Sequence, residues 1–386
     1  MTTISNVYPV SGFVAPGFEK VKAVFERNFT ELGDVGAGFA VARGGELLVD
    51  LHGGRANATD PWTAETLMPI FSGTKGLVGT MMLMLADRGL IDFARPVADY
   101  WPEFAAGGKA GVTVRDIVSH HAGLPGITLE TLTPADLTDD AAMEARLAAE
   151  PLSPDPRAFG CYHALTIGWL CGGLLRRVDG RSIGRFFAEE IATPLGLDVH
   201  IGLPEALEPR AGVLELEPGW GAWDDGLSAA VAADTTRRSI WGNPPLFTAD
   251  DLFWNSRAFH AAEIPGGGAL ATAASMARFY AALALGGEPL LKPETLVAGR
   301  AELNRFLDPF LDEEMSIGTV YQLQTAQRRY GPPEDAFGHS GAGGSLHFAW
   351  PSEGVGVSYV MNQMRADPED RRTRALFTSL SACLAA

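Results

Sequence analysis

Cysteine is scarce in this chain. Cys161, Cys171 and Cys383 are the whole set in 386 residues, which is too few for a disulfide framework and makes a reducing cytoplasm the default setting. Lysine is nearly as rare, at Lys20, Lys22, Lys75, Lys109 and Lys292. Positive charge is outweighed overall, with 30 Lys and Arg against 47 Asp and Glu and a formal net charge of -17. That balance speaks against nucleic acid or an anionic membrane as the main partner, because both reward clustered cations. Long apolar runs are missing too. The longest, near residues 77–86, falls well short of the ~20 residues that cross a bilayer. Residues 1–10 show no basic run followed by an apolar one and do not look like a secretory signal. A soluble cytoplasmic protein is expected, and whether copies of it associate into a homo-oligomer is left open.

What is present suits a globular protein with a large core: 46% of residues are hydrophobic and 20% charged, and the length allows two lobes, one inserted in the other. Residues 18–32 carry apolar side chains at helical spacing and predict an amphipathic first helix. Residues 36–50 read as two strands around Arg43-Gly44-Gly45-Glu46, since a Gly-Gly centre supplies the positive φ of a tight hairpin turn. Helical patterns dominate from Thr74 to about Leu197. Within them, Thr113 and Asp116 resemble a capping box, and Gly123 with Pro125 stops the helix that Thr113 starts. His120 and His121 are neighbours that point about 100° apart on a helix and have no Cys/His cluster around them, so no metal is expected. Residues 272–285 predict another helix, 346–350 and 355–361 two strands, and 368–383 a closing helix. Sheet-forming segments thus sit at both ends with helices between. The expectation is one α/β domain assembled from residues 1–73 and 265–386, with residues 74–264 as a mostly helical insertion and the site at their interface.

Chemistry centres on Phe71-Ser72-Gly73-Thr74-Lys75-Gly76, where a strand-like run gives way to a helix. Residues three apart share a helix face, so Ser72 and Lys75 can touch. A lysine accepts a serine proton if burial lowers its pKa, and the apolar helix that follows predicts such burial. Ser72 as a helix cap with a solvated Lys75 is the alternative, but Lys75 is the one lysine with a serine three positions before it. Residues 202–264 are irregular and rich in Trp, Pro and Gly, with Trp220, Trp223, Trp241 and Trp254. Those aromatics either fasten a loop-rich region to the core or wall an apolar pocket.

Ser72-x-x-Lys75, Tyr162 after Gly160, Ser119-His120-His121-Ala122-Gly123-Leu124-Pro125, and His339-Ser340-Gly341 before a late strand together resemble the serine β-lactamase and penicillin-binding-protein superfamily. The likeness spans nearly the whole chain, and the class C β-lactamase-like branch with its family VIII carboxylesterases is the nearest in pattern. It implies a β-lactamase/transpeptidase-like α/β (α+β) fold, an antiparallel sheet flanked by helices with a helical insertion. It also implies that Ser72 is the acylated nucleophile, that Lys75 and Tyr162 handle its proton, and that the backbone N–H groups of Ser72 and Ala342 form the oxyanion hole. His339, Ser340, Gly341, Gly343, Gly344, Trp220, Trp241 and Trp254 are the expected substrate-binding residues. No cofactor or metal is implied. Two departures stand out. Ala164 replaces an Asn that contacts amide substrates, and His339 replaces a Lys that holds a carboxylate. Both favour neutral esters over β-lactams, so a short-chain carboxylesterase is expected. A β-lactamase, a D-amino-acid peptidase or an acyltransferase is the enzymatic alternative, and a non-catalytic binding protein the other. A Ser-His-Asp hydrolase is disfavoured because no Gly-x-Ser-x-Gly occurs.

Overall fold

The computed structural model describes residues 9–218, 229–247, 252–365 and 370–386. Edge strand β1 (Ser11–Val14) leads into helix α1 (Glu19–Thr30), which buries Val21, Val24, Phe25 and Asn28. Strands β2 (Gly36–Arg43) and β3 (Glu46–Gly54) form the expected hairpin, with Gly44 and Gly45 at φ of 57° and 85° in its turn. Four brief strands follow: β4 (Met68–Pro69), β5 (Val199–Ile201), β6 (Glu215–Leu216) and β7 (Ala269–Ala271). Then come β8 (Asn304–Asp308), β9 (Glu313–Ile317), β10 (Gln322–Leu323) and β11 (Phe337–Ser340). The last three are β12 (Leu346–Trp350), β13 (Val355–Met361) and β14 (Gln363–Met364).

Nine strands make one sheet in the order β1-β3-β2-β13-β12-β11-β10-β9-β8, with every neighbouring pair antiparallel. The two ends of the chain therefore meet at its centre, where β2 pairs with β13 from Ala37↔Met361 to Arg43↔Val355. A second sheet, β4-β7-β5, ties together three short pieces that are distant in sequence.

Alternation along β2 decides what covers each face. Phe39 and Val41 join a core with Phe25 of α1, Val357, Tyr359 and Phe377 of the C-terminal helix (Arg371–Leu384). Ala40 and Ala42 face the other way, onto Ala277 and Ala281 of the helix Ala273–Ala284. Small residues are needed there because the helix lies on the strand backbone. A Cβ at Gly356 would sit 2.1 Å from both the Ala277 carbonyl oxygen and the Ala281 nitrogen.

Helix α2 (Thr74–Asp87) buries every residue from Thr74 to Leu85 and runs through the centre of the largest core cluster. Around it lie α3 (Val114–Val118), with the expected Thr113/Asp116 capping box, α4 (Asp140–Ala149), and α5 (Thr166–Asp179), which ends at Gly180 with φ of 89°. The fold is thus the expected antiparallel sheet with helices on both faces and a helical middle. The pattern reading did not anticipate β8 and β9, which extend the sheet to its far edge, where β8 is only partly covered. Among the described residues, no helix is long and apolar enough to cross a membrane.

Gly356→Ala should force the helix Ala273–Ala284 off the sheet. We expect it to lower stability by about 2 kcal/mol or more, in the range of core overpacking. A urea midpoint indistinguishable from wild type would show that the helix does not sit on the strand as described.

Candidate active site

The site begins with a backbone distortion. Phe71 has φ of 46°, a left-handed conformation that costs a non-glycine residue on the order of 1–2 kcal/mol. Aromatic packing offsets it: the Phe71 ring lies edge-on to Trp254 at 5.0 Å and to Phe247 at 5.7 Å. Trp254 is 1% exposed and donates its indole N–H to the Leu246 carbonyl at 2.6 Å. It was expected in the substrate pocket and is instead a core residue that braces Phe71 from behind. The single 3₁₀ turn Phe71–Gly73 then presents half-buried Ser72 just before α2 begins.

One helical step later, Lys75 Nζ lies 2.9 Å from Ser72 Oγ. Lys75 is not solvated. It has no exposed surface, and its Nζ donates to the carbonyls of Ala164 and Gly266, each at 2.6 Å. Those carbonyls converge because Gly168 of α5 lies against the Gly266 backbone, where a Cβ would come within 2.0 Å. Among the described residues, no carboxylate pairs with Lys75. Burial therefore holds its pKa well below the ordinary lysine value.

Tyr162 stands in the loop before α5, with its backbone N–H bonded to Asp308 Oδ2 at 2.6 Å. Asp308 also accepts the N–H groups of Phe310 and Leu311, so one buried carboxylate ties the tyrosine loop to the β8–β9 hairpin. The ring lies under Lys75, with Nζ 4.9 Å from its centroid. Burial raises the phenol pKa, and the nearby Ser72 hydroxyl opposes this without reversing it. Ser72 thus lies between an amine and a phenol that both favour their neutral forms.

Four histidines surround this pair. His120 stacks on Tyr162 at 4.8 Å and accepts the His163 backbone N–H on Nδ1 at 2.9 Å. His163 accepts the Leu124 N–H on Nε2 and donates Nδ1–H to the Cys161 carbonyl; burial pushes its pKa down to about 4. His339 has no exposed surface and gives Nδ1–H to the Ser340 carbonyl at 2.8 Å. Burial holds it well below the usual imidazole range, so it is a neutral group. His347 lies against the Phe71–Gly73 turn, where a Cβ at Gly73 would come within 2.5 Å of its ring; burial pushes it down to about 3.

The other expected residues divide. Gly341 touches the strand before Ser72, since a Cβ there would lie 2.3 Å from the Ile70 carbonyl oxygen. Ser340 bonds Gln322 at 3.0 Å and Arg329 at 3.3 Å, and Arg329 is itself ion-paired with Glu313. Gly344 N–H closes a turn on the Gly341 carbonyl at 3.3 Å, and Ala342 lies within that turn. A Cβ on Gly343 would run into Met364, and one on Gly344 into Arg372 and Asp370. Trp241 packs at the rim of an apolar cluster containing Tyr162, Ala164, Ile240, Phe310 and Met315. Trp220 and Trp223 lie outside the described residues. Sequence reasoning missed Asp308 and the stacking of His120. Nothing local marks Asp308, whereas His120 sat in a quoted motif and only its orientation was hidden.

Comparison with known proteins places the chain. The beta-lactamase family model matches residues 25–379. The chain is 37% identical over 378 residues to the esterase/beta-lactamase LipL of Mycobacterium tuberculosis, covering 92% of this chain and 83% of that protein. Its structure superposes on that of a family VIII carboxylesterase with a TM-score of 0.88 at 36% identity, covering 97% of this chain and 100% of the other. A penicillin-binding-protein homologue from Caulobacter crescentus gives 0.85 at 37% identity, with coverage of 97% and 100%.

The lowered pKa values of His163 and His347 make stability depend on pH. An unfolded imidazole binds a proton near pH ~6.5, while these folded rings do not until about 4 and about 3. Between those limits the unfolded state holds more protons, so stability is full above the unfolded value and is lost as pH falls. The full loss is on the order of 3 kcal/mol for His163 and of 5 kcal/mol for His347. His347→Asn, which does not titrate, should lose less stability than wild type between pH ~7 and ~4.5 in denaturant titrations. Equal losses would mean that His347 is not buried neutral.

Proposed function

The chain belongs to the beta-lactamase family, and from that premise we propose that it is a serine hydrolase that cleaves short-chain carboxylic esters through an acyl-enzyme on Ser72. One observation carries the mechanism: Lys75 Nζ is 2.9 Å from Ser72 Oγ and buried without a counter-ion among the described residues. A neutral amine has two hydrogens. The carbonyls of Ala164 and Gly266 take both, which leaves the nitrogen lone pair facing the serine hydroxyl. Ser72 then passes its proton to Lys75 as its oxygen attacks the ester carbonyl. Charge on the carbonyl oxygen is met by the N–H groups of Ser72 and Ala342. Tyr162, a neutral phenol, donates its proton to the departing alkoxide and regains one from Lys75, restoring the neutral pair. Water attacks the acyl group by the same relay run in reverse.

The preference for esters rests on charge. A β-lactam carries a carboxylate, yet His339 is neutral and Arg329 is committed to Glu313. Ala164 sits in an apolar cluster where an amide would find no polar partner from it. An uncharged ester with a small acyl group asks for neither contact. The names of the two relatives above, one a carboxylesterase and one an esterase/beta-lactamase, agree with ester cleavage. With all three cysteines free, we assign the protein to the cytoplasm.

Ser72→Ala and Lys75→Met should each lower kcat on a nitrophenyl butyrate by about 1000-fold or more with little change in KM, as expected for removing a nucleophile or its base. Hydrolysis of a chromogenic cephalosporin should be slower than that of the ester. A cephalosporin turned over faster would overturn the ester assignment. For the wild type, kcat/KM should rise with pH as Lys75 loses its proton and then stay level to about pH 10, because the Tyr162 phenol titrates above its ordinary value. A fall between pH ~7 and ~9 would mean that the protonated amine is the active form.

A further inference from the structure

Two adjacent glycines at φ of 80° and 117°, Gly343 and Gly344, are the least predetermined backbone a turn can have. An oxyanion donor has to be held within about 0.5 Å. Something other than the turn's own sequence must hold Ala342 in place.

We propose that Arg372, on the C-terminal helix, is the positioning residue that fixes the Gly341–Gly344 turn and so aims the Ala342 N–H at the reacting carbonyl. Arg372 has no exposed surface, and its Nη2 donates to the Gly343 carbonyl at 2.9 Å. The Arg365 N–H reaches the same oxygen at 3.0 Å, so both of its acceptor sites are used. The rest of the guanidinium is fixed in turn. Nε donates to both Asp370 oxygens at 2.9 and 2.8 Å, and Nη1 to Asp34 Oδ1 at 3.3 Å and the Gln363 carbonyl at 3.0 Å. Asp34 accepts the Tyr359 hydroxyl at 2.6 Å, and Asn28 of α1 holds the Arg372 carbonyl at 3.0 Å.

This arrangement also accounts for the two glycines. A Cβ at Gly344 would lie 2.6 Å from Arg372 Nη2, and one at Gly343 would lie 2.7 Å from Met364. Gly344 lets the guanidinium approach, Gly343 lets Met364 pack against the turn, and the guanidinium removes the freedom that the two glycines introduce. A planar fork with five donors can fix a peptide plane, whereas an ammonium cannot. Stability alone is a poor reason for such a cluster, since buried ion pairs are often no better than apolar packing of the same volume.

The inference rests on the Ser72 acyl-enzyme reading, and the test separates the two. Arg372→Lys keeps the charge and loses the fork; Asp370→Asn is the milder companion, loosening the same guanidinium if the lysine variant does not fold. Each is assayed on a nitrophenyl butyrate and on its thionoester, in which sulfur replaces the carbonyl oxygen. Oxyanion-hole bonds favour oxygen, so a displaced Ala342 N–H should lower kcat on the ester about 10- to 100-fold. It should change KM little and reduce the oxygen-over-sulfur rate ratio several-fold. A variant that is merely less folded loses both rates equally and keeps the ratio. An unchanged ratio, with or without a fall in kcat, overturns the role of Arg372. If a fluorophosphonate probe fails to label Ser72 in the wild type, the acyl-enzyme reading fails first and takes this inference with it.

Discussion

A lysine with no exposed surface and no carboxylate partner among the described residues is the constraint on which the site depends. Carrying a full charge in that position would cost several kcal/mol, so burial favours the neutral amine, the form that the proposed mechanism needs as acceptor for the Ser72 proton. Everything near it serves that burial. Helix α2 is apolar nearly all round, and Gly76 and Gly79 let it approach Tyr280 and the Thr319 backbone closely. The carbonyls of Ala164 and Gly266, 102 positions apart in the chain, occupy the two amine hydrogens. Replacing them with a carboxylate would return the lysine to its ordinary charge and remove the base.

The same low-polarity surroundings set the state of the other groups. Tyr162 stays a phenol and the nearby imidazoles stay uncharged because nothing pays for their ions. An enzyme that needed to hold an anionic substrate here would have to keep a cation unneutralised. This one ties Arg329 to Glu313 and buries Arg372 among Asp34 and Asp370. Those cations are neutralised by carboxylates, and burial favours the neutral forms of Lys75, Tyr162 and His339, which suits the uncharged ester proposed as substrate.

Much of this was legible in the sequence, for physical reasons. Amphipathic periodicity marked α1, the helix Ala273–Ala284 and the C-terminal helix; Gly-Gly marked the first hairpin; spacing put Ser72 and Lys75 within reach of each other, as they are. What stayed hidden depended on contacts between distant residues. Trp254 looked like a pocket wall because a tryptophan in a loop-rich stretch has the same composition whether it faces a ligand or braces Phe71. Asp308, Arg372 and the inward orientation of His120 carry no local signature, since each acts on a residue far away in the chain. The glycines of residues 341–344 suggested a ligand in close approach, but at Gly343 and Gly344 the close neighbours are Met364 and Arg372.

The central claim, that Lys75 is a neutral amine in the resting protein, has a direct measurement. With five lysines in the chain, a protein labelled with 13C at lysine Cε gives a spectrum simple enough to assign, and the Lys75 signal is the one lost in Lys75→Met. The account predicts that at neutral pH this resonance already has the shift of an amine. A Lys75 signal that stays with the ammonium group up to about pH 9 would contradict it, and the Ser72 proton would then need another acceptor.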